Sequence, residues 1–161
     1  MPVTYQRIPS SADTVDSVLV TLHDRWLSET RRFVEPAASA GAGFWDRWTA
    51  VRYLADQFQA HFKLERALLV SLTTLIREDD AERLVTQAGE LERLLAGLNQ
   101  SGRRRGTGPA VADAVRQLME GIAVWCAEFE LATAGIPRDV LSENSTRLLE
   151  HVTALGAVGF P

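Results

Sequence analysis

Apolar residues recur at gaps of three and four along most of the chain, which places them on one face of successive α-helices. The clearest stretch, about 44–77, contains no Gly or Pro and would form a helix close to 50 Å long at about 1.5 Å per residue. Two polar residues, His61 and Glu65, lie one turn apart in the middle of its apolar row. That row consists of Val51, Leu54, Phe58, His61, Glu65, Leu68, Leu72 and Leu75.

Three further helices are predicted around this one. The first begins near residue 11, where Ser10 and Asp13 have capping-box spacing, and ends at Pro36. Its two adjacent rows are Val15, Leu19, Leu22, Trp26 and Phe33, and Val20, His23, Leu27 and Val34. The third is capped by Asp79 or Asp80 and buries Leu84, Ala88, Leu91, Leu95 and Leu98. The fourth begins at Pro109 and buries Val111, Val115, Leu118, Ile122, Trp125, Phe129 and Ala132.

The chain therefore reads as one all-α domain over residues 1–161: an up-down-up-down antiparallel four-helix bundle with an additional short C-terminal helix. Small residues at 36–43 and the segment 101–109 connect the helices. Residues 1–9 form an N-terminal arm. Gly135 and Pro137 end the fourth helix, and 137–161 holds an accessory helix, about 138–155, followed by a tail.

Charge and cysteine content narrow the functional classes. The net charge of −4 gives no reason to expect a nucleic acid or a membrane surface as partner. A single cysteine excludes an internal disulfide and suits a reducing compartment. The first residues lack the apolar core of a signal peptide, and no apolar run reaches the roughly 20 residues that span a bilayer. We therefore expect a cytoplasmic protein.

His61 and Glu65 have the i, i+4 spacing by which one helix gives two ligands to one metal ion. The segment LADQFQAHFKLERALL (54–69) resembles the second helix of the hemerythrin-like family, in which a histidine follows leucines at −7 and −3 and precedes a glutamate at +4. LHDRWLSE (22–29) is similar to that family's first helix, with His23 in the ligand position. The resemblance implies a metal set of His23, His61 and Glu65 for one iron or zinc ion.

The remaining ligand positions of that family are apolar in this chain. The histidine positions of helix three match Leu91 and Leu95, and the ligand positions of helix four match Trp125 and Phe129. These side chains would fill the space of a diiron centre as structural core. We therefore expect a hemerythrin-like bundle without the cofactor, in which His61 and Glu65 pair with each other, with an arginine or with His23. The single-metal site is the alternative.

A second resemblance points to another class of protein. LHDRWLSETRRFV (22–34) and QAHFKLERALL (59–69) are similar to two helices of the bacterial regulator-of-sigma-D family, small bundles that bind the main RNA polymerase sigma factor. Asp24, Arg25, Trp26 and Leu27 carry the first match, and His61, Phe62 and Glu65 carry the second. This resemblance implies a transcription regulator.

The remaining candidates favour binding over catalysis. Cys126 lies within a helix, where a lone cysteine is usually a small buried apolar residue. The arginines at 103–105 form a solvated basic loop or a docking point for an acidic partner. Phe44, Trp45 and Trp48 are expected to fill one end of the bundle. Trp45 departs from the apolar row, and the alternative is that it is exposed, as is typical of an interface anchor. No nucleotide-binding loop, nucleophile elbow or H-E-x-x-H motif is present. The sequence predicts a non-enzymatic binding or regulatory protein with another protein as partner, and a homodimer remains an option.

Overall fold

The computed structural model describes residues 14–39, 41–103 and 108–141, and its elements within these ranges are all helical. The predicted all-α class is therefore confirmed. The elements are α1 (Val15–Ala38), α2 (Phe44–Tyr53), a π-helical turn (Leu54–Phe58), α3 (Gln59–Leu72), α4 (Glu78–Arg103), α5 (Gly108–Ala132) and a 3₁₀ turn (Arg138–Val140).

Four helical segments pack against one another, with the α2–α3 segment counting as one. Helix α1 packs against α5 and α2, α5 packs against α4, and the α2–α3 segment also contacts α4. The apolar faces meet in one core cluster to which all of these helices contribute. Burial of this shared face, rather than helix propensity alone, is the main source of helix stability.

The bounds of α1 differ from the prediction at both ends. The helix begins at Val15, with Thr14 extended at φ −112° and ψ 156° as its N-cap, rather than near residue 11. It continues through Pro36 to Ala38 although a proline inside a helix removes one backbone hydrogen bond, and Ala37, beyond the proline, is fully buried. Ser39 Oγ donates to the carbonyl oxygen of Pro36 at 2.9 Å, which satisfies one of the terminal acceptors.

The long helix predicted over 44–77 is interrupted. A π-helical turn at Leu54–Phe58 separates α2 from α3, and α3 ends at Leu72. Leu54 and Phe58, the first and last residues of this turn, are both fully buried. Leu75 lies beyond the helix end and is 46% exposed, so its predicted place in the apolar row is wrong.

The prediction that three aromatic residues fill one end of the bundle is also wrong. Phe44, Trp45 and Trp48 at the start of α2 are 59%, 72% and 44% exposed. They lie on the surface of the molecule, and the core of this segment begins at Ala50, which is fully buried.

The apolar rows of α4 and α5 are confirmed. Every predicted member is buried except Ala132, which is partly buried against the core. The two helices approach closely at Gly121, where an added Cβ would lie 2.7 Å from Cδ2 of Leu91. Asp79 and Asp80 stand inside the first turn of α4 rather than at its cap, where their charges still favour the helix dipole.

Some predicted connecting segments are helical, and others lie outside the described residues. Helix α4 runs to Arg103 and α5 begins at Gly108, so both ends of the loop predicted over 101–109 are helical, whereas 104–107 lie outside the described residues. Gly135, at φ 78°, adopts the left-handed conformation that ends α5, as predicted. Residues 138–140 form a 3₁₀ turn instead of the start of an accessory helix. The arm at 1–9 and the rest of 142–161 lie outside the described residues.

The start of α1 and the segment after α5 are joined directly. The backbone N–H of Val15 donates to the carbonyl oxygen of Ile136 at 2.8 Å. Among the described helices, none combines the length and the apolar character needed to cross a membrane.

Candidate functional site

Three helices bring ionisable side chains together in the core. Helix α1 supplies His23, α3 supplies Glu65, and α5 supplies Glu130. His23 is fully buried, Glu65 is 2% exposed and Glu130 is 15% exposed. The sequence analysis placed His23 and Glu65 in one site, and the structure brings these two together.

The His23 imidazole lies between the two carboxylates. Its Nε2 is 3.1 Å from Oε1 of Glu65, and its Nδ1 is 3.0 Å from Oε1 of Glu130. The Nδ1 contact has hydrogen-bond geometry, whereas the Nε2 contact is close enough for an ion pair but is not aligned as a hydrogen bond. A protonated imidazole, with an N–H on each nitrogen, suits this arrangement because it gives both carboxylates a positive partner.

Glu65 has a second partner on α5. The indole Nε1–H of Trp125 donates to Oε2 of Glu65 at 2.8 Å, and both residues are buried. The Glu65 carboxylate therefore touches α1 through one oxygen and α5 through the other. This arrangement answers the requirement that a buried carboxylate be paired and hydrogen-bonded.

His61 lies apart from that network. It is 6% exposed, its ring centroid lies 6.0 Å from that of Trp26, and its Nδ1 has no hydrogen-bond partner among the described residues. The Nε1 of Trp26 is also buried without a partner there. Among the described residues, two further buried side-chain atoms have no hydrogen-bond partner: His23 Nε2, which has only its ion-pair contact with Glu65, and Gln87 Oε1.

Aromatic rings surround the group formed by His23, Glu65 and Glu130, which we call the buried cluster. Trp26 stacks on Phe58 with centroids 4.9 Å apart, and the His23 ring lies 6.2 Å from that of Phe129. The series continues through Phe58–Phe62, Phe62–Trp125 and Trp125–Phe129 at 5.7, 5.3 and 5.5 Å. Such surroundings exclude water and strengthen the electrostatic interactions inside.

The environment moves the pKa values of the two core histidines in opposite directions. Burial on its own would lower the pKa of His23, but Glu65, Cys126 and Glu130 together raise it well above its usual value. Burial lowers the pKa of His61, and the charges of Glu65 and Glu29 only partly offset that effect. The surroundings of His23 thus favour its cationic form, and those of His61 favour its neutral form.

Cys126 adjoins His23 in the same core. The thiol is 2% exposed, and burial raises its pKa to about 11 although His23 opposes the shift. A thiol with this pKa is protonated near neutral pH and is a weak nucleophile. Its environment is that of an inert core residue.

The predicted metal set of His23, His61 and Glu65 does not present three free donors to one ion. Glu65 already contacts His23 and Trp125, and His23 contacts Glu130. In the described ranges, no group of three or more His, Cys, Asp or Glu side chains is arranged to hold a metal ion. Of the three predicted residues, His61 alone has a buried nitrogen, Nδ1, with neither a hydrogen bond nor an ion pair among the described residues. The metal set therefore stays a prediction.

The core predicted at this level is present as side chains packed around the cluster. Leu91, Leu95, Trp125 and Phe129 are all buried. Sequence reasoning treated Trp125 as apolar filling and missed its hydrogen bond to Glu65. The contact between Glu130 and His23 was also missed; the available signal was the spacing of four between Glu130 and Cys126, along the side of the apolar row.

A second candidate site is on the surface, where Phe44, Trp45 and Trp48 form an exposed aromatic patch. The Trp45 ring makes edge contacts with Phe44 at 5.4 Å and with Trp48 at 6.0 Å. The guanidinium of Arg52 lies 5.2 Å from the ring centroid of Trp48. We call these three residues the aromatic patch.

Comparison of the chain with models of protein families, with curated proteins and with solved structures finds no significant match.

Proposed function

We propose that this protein is a non-enzymatic binding or regulatory bundle that engages a protein partner through the aromatic patch. The observation that carries the proposal is the exposure of Phe44, Trp45 and Trp48 side by side at the start of α2. Tryptophan is strongly enriched among residues that dominate binding energy, and leaving two of them in water is costly unless another surface covers them.

The charges beside the patch indicate the kind of partner. Arg52 lies over the Trp48 ring, and its ion pair with Asp56 is long, at 3.7 Å between two exposed groups. Such a pair contributes little to stability and is easily exchanged. We infer a partner surface with an apolar groove for the tryptophans and a carboxylate at its rim for Arg52.

The proposed scaffold is an up-down-up-down antiparallel bundle of hemerythrin-like shape without a full diiron site. Short connections at 39–43, 73–77 and 104–107 favour antiparallel neighbours. Leu91, Leu95, Trp125 and Phe129 occupy the core where further ligands would be needed. The contacts of Glu65 with His23 and Trp125 support a structural role for the central polar residues.

The alternative is a metal-binding protein using His23, His61 and Glu65. One observation favours it, namely that the buried Nδ1 of His61 has no hydrogen-bond partner in the part of the chain that the structure describes. Binding would require Glu65 to release at least one of its present contacts. Elemental analysis separates the two functions.

The binding proposal is tested by quantitative capture from an extract of the source cells. The bait proteins are the wild type, Trp45→Ser/Trp48→Ser, and a matched control, Val124→Ser/Leu131→Ser, whose side chains are 49% and 75% exposed on α5. All substitutions are on the surface, so circular dichroism should show the same helix content for the three proteins.

The expected result is a protein retained in stoichiometric amount by the wild type and the control. The tryptophan variant should retain it at least about tenfold less, as the loss of two central anchors implies. Equal retention by all three proteins, or no stoichiometric partner for any of them, would contradict the proposal.

A further inference from the structure

A groove lies between the α2–α3 segment and α4, and its lining does not include His23, Glu65 or Glu130. Its volume is about 330 Å³, within the lower part of the range seen for small-molecule sites. The residues around it are Ala55, Gln59, Phe62, Lys63, Glu92, Leu95, Ala96 and Asn99. Ala55 belongs to the π-helical turn, a feature that often accompanies functional sites.

The groove has an apolar floor and a polar rim. Phe62 and Leu95 are 1% and 6% exposed and form the buried base. Ala55 and Ala96 are short and leave the space above that base open. Gln59 and Asn99 supply side-chain amides, which can donate hydrogen bonds to an acceptor held at the rim.

The groove is lined by one basic and one acidic side chain, Lys63 and Glu92. Glu92 is already paired, because Nη1 of Arg66 lies 2.5 Å from its Oε1. No ion pair involves Lys63 among the described residues, so its ammonium is the charge left unbalanced beside the groove. Lys63 is also the one lysine of the chain, since the other sixteen of its 17 basic residues are arginines.

We propose that this groove binds a small organic carboxylate with an aliphatic tail. The tail lies on Phe62 and Leu95, the carboxylate faces the Lys63 ammonium, and the amides of Gln59 and Asn99 orient it. A lysine suits this task because its ammonium is a mobile point charge on a flexible stem. An open site with a solvated ion pair implies moderate affinity, with saturation in the millimolar range. The proposal is independent of the aromatic patch and of its partner.

The single lysine makes a direct test available. Reductive methylation with ¹³C-formaldehyde keeps the charge of the amine and labels Lys63 and the terminal amine alone. The Lys63 signal is identified by its absence in Lys63→Gln. The labelled protein is titrated with octanoate below its micellar concentration, and with octanol and octylamine as probes that have the same tail.

Two alanine-to-leucine variants distinguish binding in the groove from non-specific hydrophobic binding elsewhere on the surface. Ala96→Leu fills the groove without touching Lys63, and Ala127→Leu makes the same change at an exposed position of α5. We expect octanoate to shift the Lys63 signal saturably in the wild type and in Ala127→Leu, but not in Ala96→Leu.

The contribution of the Lys63 charge to binding is measured from the NMR signals of the ligand. Saturation transfer to octanoate should report binding about three- to fivefold weaker in Lys63→Gln, the range for one exposed ion pair. Octanol should bind more weakly than octanoate, and octylamine more weakly still. A shift that does not saturate, a shift that persists unchanged in Ala96→Leu, or equal binding of the three probes would overturn the proposal.

Discussion

Nε2 of His23 on α1 lies 3.1 Å from Oε1 of Glu65 on α3, and both side chains are withdrawn from solvent. The other oxygen of Glu65 accepts the indole N–H of Trp125 on α5. A buried ionic group is tolerated only when its partners compensate for its lost hydration, so removing one partner costs more than the pair contributes. The cluster therefore fixes how α1, α3 and α5 meet.

Substitutions of Glu65 test whether its carboxylate pairs with His23 and Trp125 in the core. Glu65→Ala should lower the free energy of unfolding more than Glu65→Gln, because glutamine keeps an acceptor for Trp125 whereas alanine leaves both His23 and Trp125 without it. The free energies of unfolding of the two variants should differ by about 1–3 kcal/mol, the cost of leaving a buried polar group without a hydrogen-bond partner. Urea denaturation measures it. Equal unfolding midpoints in the two variants would contradict the burial and pairing of Glu65.

Two buried tryptophans provide a matched comparison. Trp125→Phe removes an N–H that is bonded to Glu65, so it should destabilise by about 1.5–3 kcal/mol beyond the smaller ring's lost contacts. Trp26→Phe removes an N–H that has no partner among the described residues, so the loss of that polar atom should offset part of the packing cost. The same denaturation experiment applies. A larger loss for Trp26→Phe than for Trp125→Phe would argue against the hydrogen bond.

The pKa of His23, raised in the folded protein, predicts a pH dependence of stability. The contribution of His23 is complete below the unfolded-state pKa of about 6.5 and is lost as the pH rises through the higher folded-state pKa. The gap in unfolding free energy between the wild type and His23→Gln should therefore narrow as the pH rises above about 6.5.

His61 supplies the control of opposite sign. Its folded-state pKa is lowered, so its contribution is lost as the pH falls below about 6.5 and through the folded value. The gap between the wild type and His61→Gln should narrow toward acid. Gaps that stay constant with pH, or that follow the reverse trends, would mean that the two histidines do not differ in charge as described.

Cys126 should be unreactive in the folded protein. With its pKa raised to about 11, the thiolate is a very small fraction at pH 8, and the sulfur is buried. Ellman's reagent should therefore label Cys126 only as fast as the protein opens, and urea should accelerate the labelling. A control with an exposed thiol on the same helix, Val124→Cys/Cys126→Ala, should react at once. Equal rates for the two proteins would show that the site is open.

Much of the fold was predictable because packing faces leave a simple periodic signal. The rows of α4 and α5 repeat apolar residues at every turn without interruption, and the structure buries them. The π-helical turn at Leu54–Phe58 was not predictable, because no Gly or Pro marks the point at which the helix changes from α to π geometry. Pro36 was predicted to end α1, but the helix continues for two residues past it, and the burial of Ala37 there depends on tertiary packing that the local sequence does not contain.

The candidate site was predictable only in part. Spacing along one helix identified Glu65, and a polar residue in an apolar row identified His23. The hydrogen bond from Trp125 and the contact with Glu130 depend on how α5 is rotated against α1 and α3, which no single-helix pattern contains. Trp45 departs from the apolar row of its helix, but whether a neighbouring element covers it depends on tertiary packing, which that row does not contain.

The central claim is that His23 and Glu65 are a structural pair and that function resides on the surface. Elemental analysis of the protein, expressed without an affinity tag and purified without chelators, tests it most directly. We predict far less than one metal ion per chain, with His61→Ala indistinguishable from the wild type. One iron or zinc ion per chain that disappears in His61→Ala would contradict the claim and establish the metal-binding alternative.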